Sequence, residues 1–211
     1  SAVDLYKSVV CFCDQETHEF EKEVTELYPQ FIQAALRVVR TDRYHGIQCI
    51  EYFGDMNEDM AFFREYTFQT ASLALEALNS PGPDCIPAME CIVRLCETYC
   101  TIGKAMEPTI RILFNWLASV EDSKDWYNFT EDENSLDVIA KEFLERLAPH
   151  NPTEEILHTL PANPTWQQYH AFITMINEII PTDTSIHSEI PKMFKKFLEI
   201  APMHPRLAYD V

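Results

Sequence analysis

The sequence predicts an all-α protein in which helices follow one another along the chain, and three observations support this class. Apolar residues recur at i, i+3, i+4 and i+7 in segment after segment, which is the period of an amphipathic helix. No stretch alternates between apolar and polar residues for long enough to form a sheet. The helical segments also recur about every 40 residues, as stacked helix pairs do.

The first half of the chain contains three predicted helix pairs, at 3–41, 44–79 and 84–120. The second pair consists of helices at Tyr44–Phe53 and Glu58–Leu78, and the sequence Asn-Ser-Pro-Gly-Pro then breaks the chain. The third pair lies between this break and an acid-rich segment. An aspartate at its start is expected to be an N-cap, and Cys85, Met89, Ile92, Cys96 and Cys100 are expected to line the inner face of its first helix.

An acidic loop at 121–134 separates this half from the pairs predicted at 134–161 and 164–200, and another pair starts at 203. Prolines break the chain between these helices. A repeat of about 40 residues made of two helices is the HEAT signature. We therefore expect residues 1–211 to form a single HEAT-repeat array, a right-handed α-solenoid. The alternative is an ordinary compact helical bundle.

Composition places the chain among globular proteins and limits its function. The 211 residues are 46% hydrophobic and 24% charged, which suits a sizeable core. The 34 acidic and 16 basic side chains give a net charge of −18. This charge disfavours binding to nucleic acid and to anionic membranes, and it favours a basic protein partner. No apolar run approaches the length of a membrane span, and no signal peptide is visible.

No motif for catalysis, metal binding or cofactor binding is present. The four glycines form no phosphate-binding loop, and the seven histidines are scattered. The seven cysteines match no zinc spacing well, and an odd number weighs against a closed disulfide framework. We therefore predict no enzyme, no metal and no cofactor, with the cysteines reduced in a cytosolic or nuclear protein.

The acidic loop is the strongest candidate for a binding site. It contains one tryptophan, Trp126, and one lysine, Lys124, among six carboxylates: Glu121, Asp122, Asp125, Glu131, Asp132 and Glu133. Such a run of like charges repels itself and stays solvated, so it is available to a basic partner, with Trp126 as an aromatic anchor. The alternative is a solvated connection without a binding role.

A second candidate site is the pair Asn115-Trp116 in the helix before the loop. Asn115 lies off the apolar stripe of that helix, so an amide beside an indole could bind an extended chain and its basic side chains. The alternative places Trp116 in the core, as is usual for a large aromatic residue on an apolar face.

The order of several short motifs resembles the importin-β (karyopherin-β) superfamily. Met106-Glu-Pro-Thr, Leu113-Phe-Asn-Trp-Leu-Ala, the acidic loop, Leu144-Glu-Arg-Leu-Ala and Asn163-Pro-Thr-Trp follow one another as in the middle of its HEAT array. The branch that carries ribosomal proteins and histones is the most similar. The resemblance covers 86–211, and before residue 86 only the helical rhythm supports it.

This resemblance implies a fragment of a nuclear import receptor that shuttles between cytoplasm and nucleus. Such receptors bind basic cargo signals on an acidic concave face and release them when the Ran GTPase binds in its GTP form. They also contact phenylalanine-glycine (FG) repeats of nucleoporins. The acidic loop would contact Ran or cargo. The alternatives are a HEAT scaffold, of the kind found in phosphatases or microtubule regulators, and an export receptor of the same superfamily.

Overall fold

The computed structural model describes residues 21–59, 61–79, 85–122 and 135–210. Within these ranges the chain forms helices, turns and short connections, and none of these residues lies in a strand. The all-α prediction is therefore confirmed for this part of the chain. The protein divides into two compact units, Ser1–Ala105 and Met106–Val211. The division falls inside the predicted pair 84–120, and the single array remains a prediction.

The described residues of the first unit form four α-helices: α1 (Glu21–Thr41), α2 (Arg43–Asp59), α3 (Thr67–Ala77) and α4 (Ile86–Tyr99). Each helix packs on the next one along the chain, and α1 also packs on α3 while α2 also packs on α4. A short 3₁₀ helix connects α2 to α3. Contacts between neighbours and next-neighbours bury the apolar face of each helix in turn.

One buried tyrosine holds the first three helices of this unit together. The hydroxyl of Tyr28 on α1 lies 2.8 Å from Thr70 Oγ1 on α3 and 3.4 Å from the carbonyl oxygen of Phe53 on α2. Its ring centroid lies 5.3 Å from that of Phe53, 4.4 Å from Phe63 and 5.0 Å from Tyr66. Tyr28 has no exposed surface, so its polar group is satisfied inside an aromatic cluster.

The connection between α2 and α3 differs from the sequence prediction of one helix over Glu58–Leu78. The buried side chain of Asn57 explains the difference. Its Nδ2 donates to the carbonyl oxygen of Phe63 at 2.7 Å, and its Oδ1 lies 3.2 Å from Thr67 Oγ1. A buried amide needs such partners, and here they come from Phe63 in the 3₁₀ helix and from Thr67 at the start of α3.

The sequence predicts that Cys85, Cys96 and Cys100 line the buried face of α4, but one of these three cysteines does not lie on it. Cys85 and Cys96 are fully buried, but Cys100 is exposed and ends the helix with a left-handed backbone, at a φ of 60°. A left-handed residue turns its side chain away from the preceding face of the helix. Burial raises the pKa of Cys96 to about 12, so this thiol stays protonated.

The described residues of the second unit form six α-helices: α5 (Met106–Leu117), α6 (Leu136–Leu147), α7 (Thr153–Leu157), α8 (Trp166–Ile179), α9 (Ile190–Ile200) and α10 (Pro205–Asp210). Helix α8 packs most extensively on α5, α6, α7 and α10. A capping box starts α8, since Thr165 and Gln168 each bond the backbone N–H of the other.

A buried carboxylate, Asp183, connects α7 to the 3₁₀ helix that precedes α9. Its side chain accepts hydrogen bonds from Thr153 Oγ1 and, at 2.8 Å, from the backbone N–H of Ser185. These bonds, that of Thr153 above all, lower the pKa of Asp183 below its usual value. The charged form is thus the one that the fold stabilises.

We expect Tyr28→Phe to lower the free energy of unfolding by about 1–2 kcal/mol, because the substitution removes the buried hydrogen bonds of the phenol. The control is Tyr44→Phe, which removes the same group from a side chain that is 69% exposed and should change stability by less than about 0.5 kcal/mol. Urea unfolding followed by circular dichroism measures both. Equal effects of the two substitutions would contradict the role given to Tyr28.

We expect Asp183 to make the second unit sensitive to acid. Because its pKa is lower in the folded than in the unfolded chain, its contribution is complete above the ordinary aspartate value of about 3.9. The contribution is lost as the pH falls through the lower, folded value. The free energy of unfolding, measured from neutral pH to pH ~2, should therefore fall less steeply with decreasing pH in Asp183→Asn than in the wild type. Glu154→Gln, at an exposed position of α7, should keep the wild-type slope.

Candidate functional site

Only the start of the acidic loop lies within the described residues. Glu121 and Asp122 follow α5 and are exposed, as expected for a solvated loop. The remaining predicted loop residues lie outside the described ranges: Asp125, Trp126, Glu131, Asp132 and Glu133. Their role in partner binding stays a prediction.

The start of this loop contacts a stacked ring pair. Nε2 of His204 lies 3.3 Å from Asp122 Oδ1, and Nδ1 of the same ring accepts the backbone N–H of Arg206 at 3.2 Å. Because Nδ1 is an acceptor, Nε2 carries the proton and donates to Asp122. The imidazole also stacks on Trp166 at 3.8 Å with an interplanar angle of 7°. The base of the loop is therefore attached to the segment after α9.

The two residues of the second predicted site lie in different environments. Asn115 is exposed, whereas Trp116 is only 2% exposed and belongs to the core of the second unit. Its indole Nε1 has no hydrogen-bond acceptor among the described residues. The expected surface of an amide beside an indole is thus not presented to solvent, and of the two residues only Asn115 is exposed.

A groove between α2 and α4 gathers acidic side chains that the sequence analysis did not single out. We call it the α2–α4 groove; its volume is about 290 Å³. Its lining residues are Glu51, Tyr52, Gly54, Asp55, Pro87, Glu90, Cys91 and Arg94. Three carboxylates and one guanidinium therefore face the same space, beside the ring of a tyrosine.

The charges of the groove are arranged in two rows, one on each helix. Glu51 and Asp55 lie one turn apart on α2, and Glu90 and Arg94 lie one turn apart on α4. Arg94 Nη1 donates to Asp55 Oδ1 at 3.3 Å across the groove, and both side chains are partly exposed. Exposed ion pairs of this kind contribute little to stability.

A glycine sets how closely the two walls approach. A Cβ atom at Gly54 would come within 2.8 Å of Cys91 Sγ, so the missing side chain lets α4 pack directly on α2. Sequence reasoning missed the groove because carboxylates spaced by four residues are common in an acidic helical protein. No local pattern indicates that the acids of α2 and those of α4 share one space.

Other kinds of site are not seen in the part of the chain that the structure describes. Nowhere in these ranges do three or more His, Cys, Asp or Glu side chains come together as possible metal ligands. Among the described helices, none is both long and apolar enough to cross a membrane.

Comparisons with known proteins give no relative from which a role could be transferred. No protein-family model matches the sequence, and no match was found among curated proteins or solved structures.

We expect Gly54→Ala to destabilise the first unit by about 1–3 kcal/mol, because the added methyl group overpacks against Cys91. Cys91→Ala removes the sulfur that the methyl group would meet. The double variant should therefore lose about 1 kcal/mol less free energy of unfolding than the two single variants lose together. Urea unfolding of the four proteins in this double-mutant cycle measures the difference.

The matched control combines Gly103→Ala with Cys91→Ala. No atom lies within 4 Å of a Cβ atom at Gly103, although its φ of +53° strains any other residue. These two substitutions should be additive. Additivity of the Gly54 and Cys91 substitutions would show that the glycine does not set the approach of α2 and α4.

Proposed function

We propose that this chain is part of a nuclear import receptor that binds lysine- and arginine-rich segments of cargo proteins. The observation that carries this proposal is the α2–α4 groove, where three carboxylates and a tyrosine face one space on a chain with a net charge of −18. The groove fits an extended basic side chain: the carboxylates attract its charge, and the face of Tyr52 offers a cation–π contact.

A HEAT-repeat array is the architecture that we propose for this receptor. The packing within the first unit supports it, since each helix contacts its neighbour and its next-neighbour along the chain. Helix pairs that stack in this way leave grooves between equivalent helices, and a partner can lie along several of them. The right-handed α-solenoid and the membership of the importin-β superfamily are parts of the same proposal.

Charge and groove would act at different stages of binding. The net charge of −18 attracts a basic segment from a distance and raises the association rate, over a range that salt screening limits to about 8 Å at physiological ionic strength. Contacts in the groove then slow dissociation. Affinity should therefore fall as salt rises, mostly through the association rate.

The acidic loop would provide a second contact with cargo or with Ran, and FG-repeat nucleoporins would bind elsewhere on the array. GTP-bound Ran would release the cargo in the nucleus. The position of Asp122 supports this second contact. Its side chain is exposed, and His204 holds it in place. A carboxylate that is already positioned loses less side-chain entropy when a basic partner arrives.

The test compares two variants with the same change in net charge. Glu51→Gln, Asp55→Asn and Glu90→Gln neutralise the α2–α4 groove, while Glu142→Gln, Glu145→Gln and Glu154→Gln neutralise three exposed acids of the second unit. Surface plasmon resonance measures binding of a lysine- and arginine-rich peptide. We expect the groove variant to bind at least about tenfold more weakly, or about 1.4 kcal/mol, and the control to lose less than about threefold.

Two results would contradict the proposal. Equal losses in the two variants would mean that only net charge matters, and binding of an acidic peptide as tight as that of the basic one would exclude a cargo site. GTP-bound Ran discriminates between the classes of protein: it should release the peptide from an import receptor, tighten its binding to an export receptor and leave a scaffold unaffected.

A further inference from the structure

Helix α9 has an apolar face that the rest of the second unit covers only in part. Phe197 and Ile200 are buried, but Phe194 and Leu198 are 50% and 55% exposed. The two exposed side chains lie one turn apart, so they form a continuous stripe on the same side of the helix. This stripe adjoins the buried one and makes the apolar face wider than its packing requires.

The buried side of α9 is held by specific contacts with α8. The ring of Phe197 meets that of Phe172 edge to face, with centroids 6.1 Å apart. Lys196 Nζ lies 5.8 Å from the centroid of the Tyr169 ring. These contacts orient α9, and the stripe of Phe194 and Leu198 is therefore presented to solvent by a positioned helix.

The charge of α9 is opposite to that of the chain. The helix carries Lys192, Lys195 and Lys196 against one acid, Glu199, in a protein with a net charge of −18. Lys192 is paired with Glu189 at 3.2 Å. Lys195 is exposed and forms no ion pair with any residue in the described ranges, and it follows Phe194 directly in the chain.

We propose that the stripe of Phe194 and Leu198, with the lysines beside it, binds an acidic amphipathic helix of a partner protein. Two apolar anchors one turn apart match the i, i+3 or i+4 spacing with which an amphipathic helix presents its own apolar side chains. Acidic residues at the margin of that helix would pair with Lys195 and set its orientation.

Charge argues against the other occupants of such a face. A second copy that used the same face would place lysines against lysines, and a basic cargo segment would meet the same repulsion. The site goes beyond the proposed function, because it selects a partner of opposite charge and belongs to the second unit, whereas the α2–α4 groove belongs to the first.

The test uses a synthetic helical peptide with leucines at i, i+3 or i+4 and i+7 and glutamates beside them. Its controls are the same peptide with lysine in place of glutamate and a scrambled glutamate peptide. Fluorescence anisotropy should show binding of the first peptide alone. Leu198→Ser and Lys195→Glu, both at exposed positions, should each weaken it at least about fivefold, with unchanged circular dichroism.

Matched control substitutions lie on the first unit. Leu27→Ser changes another exposed leucine, at 43% exposure, and Lys22→Glu reverses another exposed lysine; both should leave binding unchanged. Equal binding by wild type and by the α9 variants would overturn the proposal.

Two further results would assign the face to a different occupant and would also overturn the proposal. One is an acidic peptide that does not bind while vesicles containing 30% phosphatidylserine do, in a manner lost in Leu198→Ser. The other is a concentration-dependent dimer that Leu198→Ser abolishes.

Discussion

The buried hydroxyl of Tyr28 is the constraint on which the first unit depends. A phenol without exposed surface must find hydrogen-bond partners, and it finds them on two other helices, at Thr70 and at the carbonyl oxygen of Phe53. The same side chain therefore orients α2 and α3 relative to α1. Helix α4 packs on α2, with Cys91 of α4 against Gly54 of α2. Because the contacts of Tyr28 orient α2, they also determine where the α2–α4 groove lies.

The two surfaces proposed to bind partners carry opposite local charges. The α2–α4 groove concentrates carboxylates around a concave space, whereas α9 places lysines beside an exposed apolar stripe. Because the local charge of each surface has one sign, each surface repels the kind of partner that the other surface attracts. Under the two proposals, a basic segment and an acidic amphipathic helix would be distinct partners, and the local charge of each surface would select between them.

Helical periodicity predicted the all-α class and most helix positions, because amphipathic stripes are local features of the sequence. It failed where a side chain makes contacts that the apolar period does not encode. The helix expected over Glu58–Leu78 is interrupted because Asn57 binds a 3₁₀ segment. The surface expected at Asn115-Trp116 is not formed, since Trp116 is turned into the core. In the acidic loop, the local charge pattern identified Asp122, but only the folded chain shows that His204 holds it.

The sequence by itself determined the helical class, most helix positions and the strong acidity of the chain, since these follow from residue type and short-range spacing. Tertiary structure decided which charges act together. Glu51 and Asp55 face Glu90 and Arg94 only because Gly54 lets two helices that are separated in sequence pack closely. The exposed stripe of α9 likewise depends on which part of its apolar face α8 covers. Both sites arise from contacts between distant parts of the chain, and helical periodicity carries no information about such contacts.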